Sequence, residues 1–157
     1  MKKQEGRGAI TQRSRILTLD SNVLIAALKE DERHSDHCAE IIGKVPGQFI
    51  LSEPSIVYQE VCGTLARRVG AEVADSAKRQ LDLIIDLGLL ANCNRSFCVS
   101  AYPLCSEYGI YAIDAMYLKT ALDNRAILVS LDKEDFIDKV NSKGPTIEAY
   151  HVSQFPY

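Results

Sequence analysis

The sequence predicts one three-layer α/β domain, a central and mostly parallel sheet flanked by helices. Two observations carry that reading. Short apolar runs of strand length alternate with segments whose apolar residues recur at helical intervals, the pattern of parallel strands joined by helical crossovers. Acidic residues stand at the ends of those runs: Asp20 follows Ile16-Leu17-Thr18-Leu19, Asp114 follows Ile113, and Asp132 and Asp135 follow Leu128-Val129-Ser130-Leu131. A carboxylate at a strand's carboxyl end or a helix start lies on the rim of an α/β sheet, where such folds place their sites.

The first strand is Ile16 to Asp20, and the apolar Val23–Leu28 stretch continues until Lys29-Glu30-Asp31-Glu32 turns the chain outward, so Asp20 sits at a strand-to-helix junction. His34 to Lys44 reads as a helix broken by Gly43 and Pro46-Gly47, and Gln48 to Leu51 as a second strand. Pro54 suits a helix start. Ile56, Val57, Glu60, Val61, Thr64 and Leu65 then recur at helical spacing up to Gly70, which places Glu60 mid-helix among apolar neighbours. Glu72 to Leu87 is an amphipathic helix with Val73, Leu81, Ile84 and Ile85 inward, followed by Leu89-Leu90-Ala91 as a brief strand. A helix over Ser100 to Glu107 ends at Gly109, a residue that takes the left-handed conformation of a helix end at no steric cost. Asp114 begins the next helix, with Ala115, Leu118, Ala121 and Leu122 inward. Ala126 to Val129 is a buried strand ending at Ser130-Leu131-Asp132, and Phe136 and Ile137 anchor a short helix behind it. After the Lys143-Gly144-Pro145 turn, Thr146 to Val152 adds an edge strand.

With 157 residues the chain has room for one full core and too little for two, so residues 16–157 are read as the domain and residues 1–15 as a basic leader. That leader holds Lys2, Lys3, Arg7, Arg13 and Arg15 against Glu5, without the apolar stretch of a secretory signal. No apolar run approaches the roughly 20 residues a membrane span needs. A soluble, cytoplasmic product is expected. Net charge is −3, and with so basic a leader the body is more acidic still. A nucleic-acid binder usually shows a basic face; a polyanionic substrate would here depend on metal ions and a few local Arg and Lys residues. The five cysteines are odd in number and lack paired zinc-knuckle spacing, so reduced, mostly buried thiols are expected. His34 and His37, with Cys38 beside them, read as a surface helix start among Asp31, Glu32, Asp36 and Glu40.

Each acid has a bland reading. Asp20 and Asp114 suit helix N-caps, and Asp132 and Asp135 suit a turn and a helix's first turn. Glu60 resists: on an apolar helical face an unpaired carboxylate is costly, so a structural role requires a buried Arg or Lys partner. Arg67, two turns along the same helix, reads as a solvated helix end or as a contact to substrate phosphate. If the acidic rims converge, they form a self-repelling pocket whose usual remedy is a divalent cation, Mg2+ or Mn2+.

Taken together, Leu19-Asp20-Ser21-Asn22-Val23-Leu24, the helix-borne Glu60, Ile113-Asp114-Ala115 and Ser130-Leu131-Asp132-Lys133-Glu134-Asp135-Phe136 resemble the PIN-domain ribonucleases, over roughly Ile16 to Val152. Each motif is short, but all four occur in the family's order. The size and the Asp-Ala-Met-Tyr-Leu-Lys-Thr-Ala helix look most like the VapC-type toxins of toxin–antitoxin modules. The resemblance implies a PIN-like domain in which Asp20, Glu60, Asp114 and Asp132 hold one or two divalent cations, with Asp135 as an outer contributor. Asn22 would steady the Asp20 loop, and Ser130 matches the hydroxyl the family carries. It also implies endonucleolytic hydrolysis of RNA to a 5′-phosphate and a 3′-hydroxyl, a homodimer, and an antitoxin that blocks the pocket. The Val57–Leu65 and Val73–Ile85 helices offer candidate dimer or antitoxin surfaces, with a core role expected for most of their apolar side chains. Three rivals stand beside the toxin: a housekeeping RNA-processing nuclease, a catalytically silent RNA-binding or interaction scaffold, and a phosphoacceptor domain. The last lacks a second Asp at position 22 and a well-placed Lys after the last strand, and the intact acids argue against the silent scaffold.

Overall fold

The computed structural model describes residues 15–29 and 31–157. The predicted leader lies outside the described residues apart from Arg15, which opens the first strand. Four parallel strands pair in the order β2-β1-β3-β4, with β1 at Arg15–Leu19, β2 at Phe49–Leu51, β3 at Ile127–Ser130 and β4 at Ala149–His151. The helices are α1 Ser21–Leu28, α2 Ser35–Gly43, α3 Ile56–Arg68, α4 Ala71–Ile84, α5 Arg95–Ala101, α6 Pro103–Tyr108, α7 Ala112–Asn124 and α8 Asp138–Ser142. This is the expected α/β architecture, a parallel sheet flanked by helices.

Parallel strands are covered on both faces and therefore read as continuous apolar runs. All four β3 residues are buried, as are Leu17, Thr18 and Leu19 of β1. Leu17 sits opposite both Leu51 and Ile127, and Leu19 opposite Val129. From β1 the chain crosses to β2 on one side and later to β3 on the other, so the strand order reverses between β1 and β3. At such a switch point the two crossovers diverge and leave a crevice at the strands' carboxyl ends. Asp20 is the first residue beyond β1, and Leu131 and Asp132 are the first beyond β3.

At that end of the sheet, side chains extend the ladder. Ser52 N–H still donates to Leu17 O at 2.8 Å, but Thr18 Oγ1 then donates to Ser52 O at 2.8 Å and Leu19 N–H donates to Glu53 Oε1 at 2.7 Å. Helix α7 packs on β1 and β3, with α5 and α6 against it; α1 packs on α2 and α3, and α3 on α4. Tyr117 and Phe136 are the largest fully buried side chains.

Several local expectations are corrected. Val73 is exposed; Ala74, Ala77 and Leu81 form the buried stripe of α4, small residues that let it approach α3 closely. Leu89-Leu90-Ala91 is no strand: Asp86 accepts the Gly88 N–H at 2.8 Å and winds Leu87–Leu89 into a 3₁₀ turn, flanked by single bridges between Leu51 and Ile85 and between Pro54 and Ala91. The helix expected at Ser100–Glu107 is two. Asn94 caps α5 by accepting the Phe97 N–H at 3.0 Å, and Pro103, which lacks an N–H, starts α6. Gly109 does take the left-handed conformation, at φ 68. Asp114 is the third residue of α7 rather than its start. Of the five free cysteines only Cys38 is buried, and Cys98 is exposed. Among the described residues no helix is long and apolar enough to cross a membrane.

Phe136, fully buried behind β3, anchors the segment that carries Asp132. Phe136→Ala is expected to lower unfolding free energy by about 3–5 kcal/mol in urea titrations.

Candidate active site

Asp20 does not cap α1. Its side chain is instead drawn toward the end of β3, where Ser130 Oγ donates to Asp20 Oδ2 at 2.6 Å and Asn22 Nδ2 donates to the same oxygen at 2.8 Å. Asn22 also donates to Ser130 Oγ at 3.2 Å and accepts the Leu131 N–H at 3.1 Å, while Ser130 Oγ accepts the Asp132 N–H at 2.9 Å. Asp20, Asn22 and Ser130 thus clamp the two loops at the switch point.

The other predicted acids arrive from three further elements. Glu60 comes from the middle of α3, and its partner is a tyrosine rather than the cation a structural role would need. Tyr117 Oη, from the buried face of α7, donates to Glu60 Oε2 at 2.6 Å. Asp114 projects from the first turn of α7. Asp132 partly fulfils its bland reading, since it caps the turn Lys133–Ile137 by accepting the Asp135 N–H on Oδ1 at 2.9 Å. Two of these acids, Asp20 and Asp114, are perturbed by the charges of the others. Asp20 feels Asp114 and Glu60, and Asp114 feels Asp132 and Glu60. Asp135 stands apart: exposed, it pairs with Lys139 at 2.9 Å one turn on. Arg67 is exposed in the last turn of α3, where cations suit a helix's carboxyl end.

Burial and crowding dominate the electrostatics. Desolvation, with the Asp114 and Glu60 charges, pushes the Asp20 carboxyl up to about 7 against the opposing hydrogen bond from Ser130. Asp114 rises to about 6, chiefly by burial and then through Asp132 and Glu60, opposed by the Tyr111 backbone N–H and by Lys139. A fifth acid, Glu53, escaped the sequence reading because beside Pro54 it looked like part of a helix start. It is fully buried beside the end of β1, its Oε2 has no partner among the described residues, and burial holds its carboxyl well above the usual range. Tyr117 was missed too, since nothing local marks a tyrosine whose partner lies 57 residues away.

Among the described residues, no three His, Cys, Asp or Glu side chains are gathered into a group that could hold a metal ion as they stand. The chemistry of the donor set nevertheless fits a hard divalent cation. Every candidate ligand is a carboxylate oxygen, and two of the carboxyls are destabilised as anions, a penalty that a cation would relieve. Asp20, Glu60, Asp114 and Asp132 are the residues that would hold it.

The PIN domain family model matches residues 17–142, and the chain belongs to that family. Among solved structures it resembles the toxin VapC20 of Mycobacterium tuberculosis, described as cleaving the sarcin-ricin loop, with a TM-score of 0.63 and 13% identity over 76% of this chain and 91% of that one. VapBC2 from Rickettsia felis, solved bound to a DNA fragment from its promoter, gives 0.62 and 14% over 87% and 98%. FitAcB from Neisseria gonorrhoeae gives 0.62 and 13% over 89% and 99%. At such identities the likeness is one of fold. No curated protein sequence matches.

Both raised carboxyls bind protons more tightly folded than unfolded. Their contribution to stability is therefore full below about pH 4 and is lost as pH rises through about 6 and 7. Ionising Asp20 alone costs roughly 4 kcal/mol. In EDTA, the melting temperature is expected to fall by about 10 °C between roughly pH 5 and pH 8, and Mg2+ or Mn2+ to restore more of it at the higher pH. Tyr117→Phe, which removes one donor from Glu60, should weaken Mn2+ binding about 10-fold or more in a calorimetric titration.

Proposed function

We propose that this chain is a divalent-metal-dependent endoribonuclease that hydrolyses RNA phosphodiester bonds, and that it serves as the toxin of a toxin–antitoxin pair. The reading is supported above all by the electrostatic convergence of four acids carried by separate segments: Asp114 and Glu60 bear on Asp20, and Asp132 and Glu60 bear on Asp114. Capping and turn roles do not require that convergence. Family membership supports it.

In this reading Asp20, fixed by Ser130 and Asn22, and Glu60, fixed by Tyr117, present ligand oxygens in set directions. A bound Mg2+ or Mn2+ would make water more acidic and offset the charge that builds on the phosphoryl oxygens. Asp114 is placed to orient the attacking water and to accept its proton. Asp135, joined to Asp132 by its backbone N–H, takes an outer place, and Arg67 is a candidate contact to substrate phosphate.

An antitoxin partner is supported by the likeness to VapBC2 and FitAcB. A cavity of about 240 Å³ between α1, α2 and α4, lined by Leu24, Leu28, Ile42, Ala77, Leu81 and Ile84, is apolar enough to take a helix from such a partner. Most apolar side chains of α3 and α4 pack into the core against one another, with Val57, Val61, Leu65, Ala77 and Leu81 buried. A homodimer, if formed, would use what remains outside, including Leu83 and Leu87.

The deciding measurement is cleavage of a labelled RNA panel with Mg2+ or Mn2+, using EDTA, Asp20→Asn and Asp114→Asn as controls. Metal-dependent cuts that fall at least about 100-fold in both variants are expected. A folded protein that binds either metal yet cuts nothing would favour the silent scaffold.

A further inference from the structure

We infer that Tyr111 and Lys139 form a subsite for single-stranded RNA at the mouth of the acidic crevice, Tyr111 stacking on a base and Lys139 meeting an adjacent phosphate. The inference rests on the nuclease reading and adds to it how an acidic protein grips a polyanion. Tyr111 is the residue immediately before α7. Tyr111 is 68% exposed although it stands only three residues before half-buried Asp114, and its backbone N–H favours the charged form of the Asp114 carboxyl. An exposed aromatic ring tied so closely to a site carboxylate is a poor use of apolar surface for folding, but a good platform for a base, whose π-face any nucleotide offers.

Lys139 supplies the second observation. From α8 its ammonium lies 6.0 Å from the centroid of the Tyr111 ring and 2.9 Å from Asp135 Oδ1, and it influences Asp114. It also feels Asp132. It is a cation bordering both the aromatic ring and the acids. Its present partner is an exposed carboxylate in an i,i+4 pair, an interaction of little net strength that a phosphate oxygen can replace. Ring and ammonium come from different segments, the turn before α7 and helix α8, and flank the crevice from which the acids would act on the neighbouring phosphodiester.

The test is equilibrium binding of a fluorescein-labelled single-stranded RNA to the full chain in Ca2+, followed by anisotropy across a salt series, with cleavage measured in parallel in Mg2+ and Mn2+. Tyr111→Leu is expected to weaken binding about 10-fold while Tyr111→Phe stays within about twofold, and the tyrosine's contribution should vanish on an RNA carrying one abasic nucleotide at the stacked position. Lys139→Gln should lower the salt dependence by about one phosphate contact. Wild-type binding matched by Tyr111→Leu overturns the inference and leaves the nuclease standing. A wild-type chain that neither binds nor cuts RNA removes the nuclease reading and the inference with it.

Discussion

The cost of burying the Asp20 carboxylate organises the crevice. An aspartate at the end of the central strand, between two covered faces of a sheet, loses water on nearly every side, and its neighbours Asp114 and Glu60 repel it. Two donors on one oxygen oppose that penalty without cancelling it. The surrounding loops are arranged accordingly. Asn22 bridges to Ser130 and Leu131, Ser130 bridges to Asp132, and so the same few hydrogen bonds that soften the charge also set the spacing between the ends of β1 and β3. Geometry and electrostatics of the site are therefore not separable: a change that relaxes one moves the other.

Below that layer, Glu53 and Tyr117 show two ways of keeping polar atoms under an acidic crevice. Glu53 lets its Oε1 take the place of a backbone acceptor for Leu19, while burial disfavours its charged form and its second oxygen finds no partner among the described residues. Tyr117 brings a full aromatic body into the core and spends its one polar atom on Glu60. Both residues belong at once to the packing and to the polar floor of the site.

Much of this was legible in the order of residues. The strands at Ile16, Gln48 and Ala126 were readable because parallel strands must be apolar on both faces, the edge strand after Thr146 from a weak alternation beyond a turn, and the acids beyond them because the chain turns into helix there. Glu60 stood out as a charge on an apolar stripe. What escaped depended on distant partners. Tyr117 looks like core until Glu60 is brought beside it, and Glu53 looks like a helix start until Leu19 is seen to need an acceptor. Asp135 is a different case: Lys139 four residues on was a local signal that its carboxylate had a partner of its own. The two helices at Arg95–Tyr108 were likewise written locally, in the Asn94 cap and in Pro103.

The sheet's two outer strands, β2 and β4, are three residues long each. Beyond β2 the bridges to Ile85 and Ala91 take up part of the exposed edge, and β4 runs straight into the turn Val152–Gln154. So brief a margin is a poor template for adding another chain's strand. Growth of this protein into ribbons or fibrils through the described sheet is disfavoured by construction.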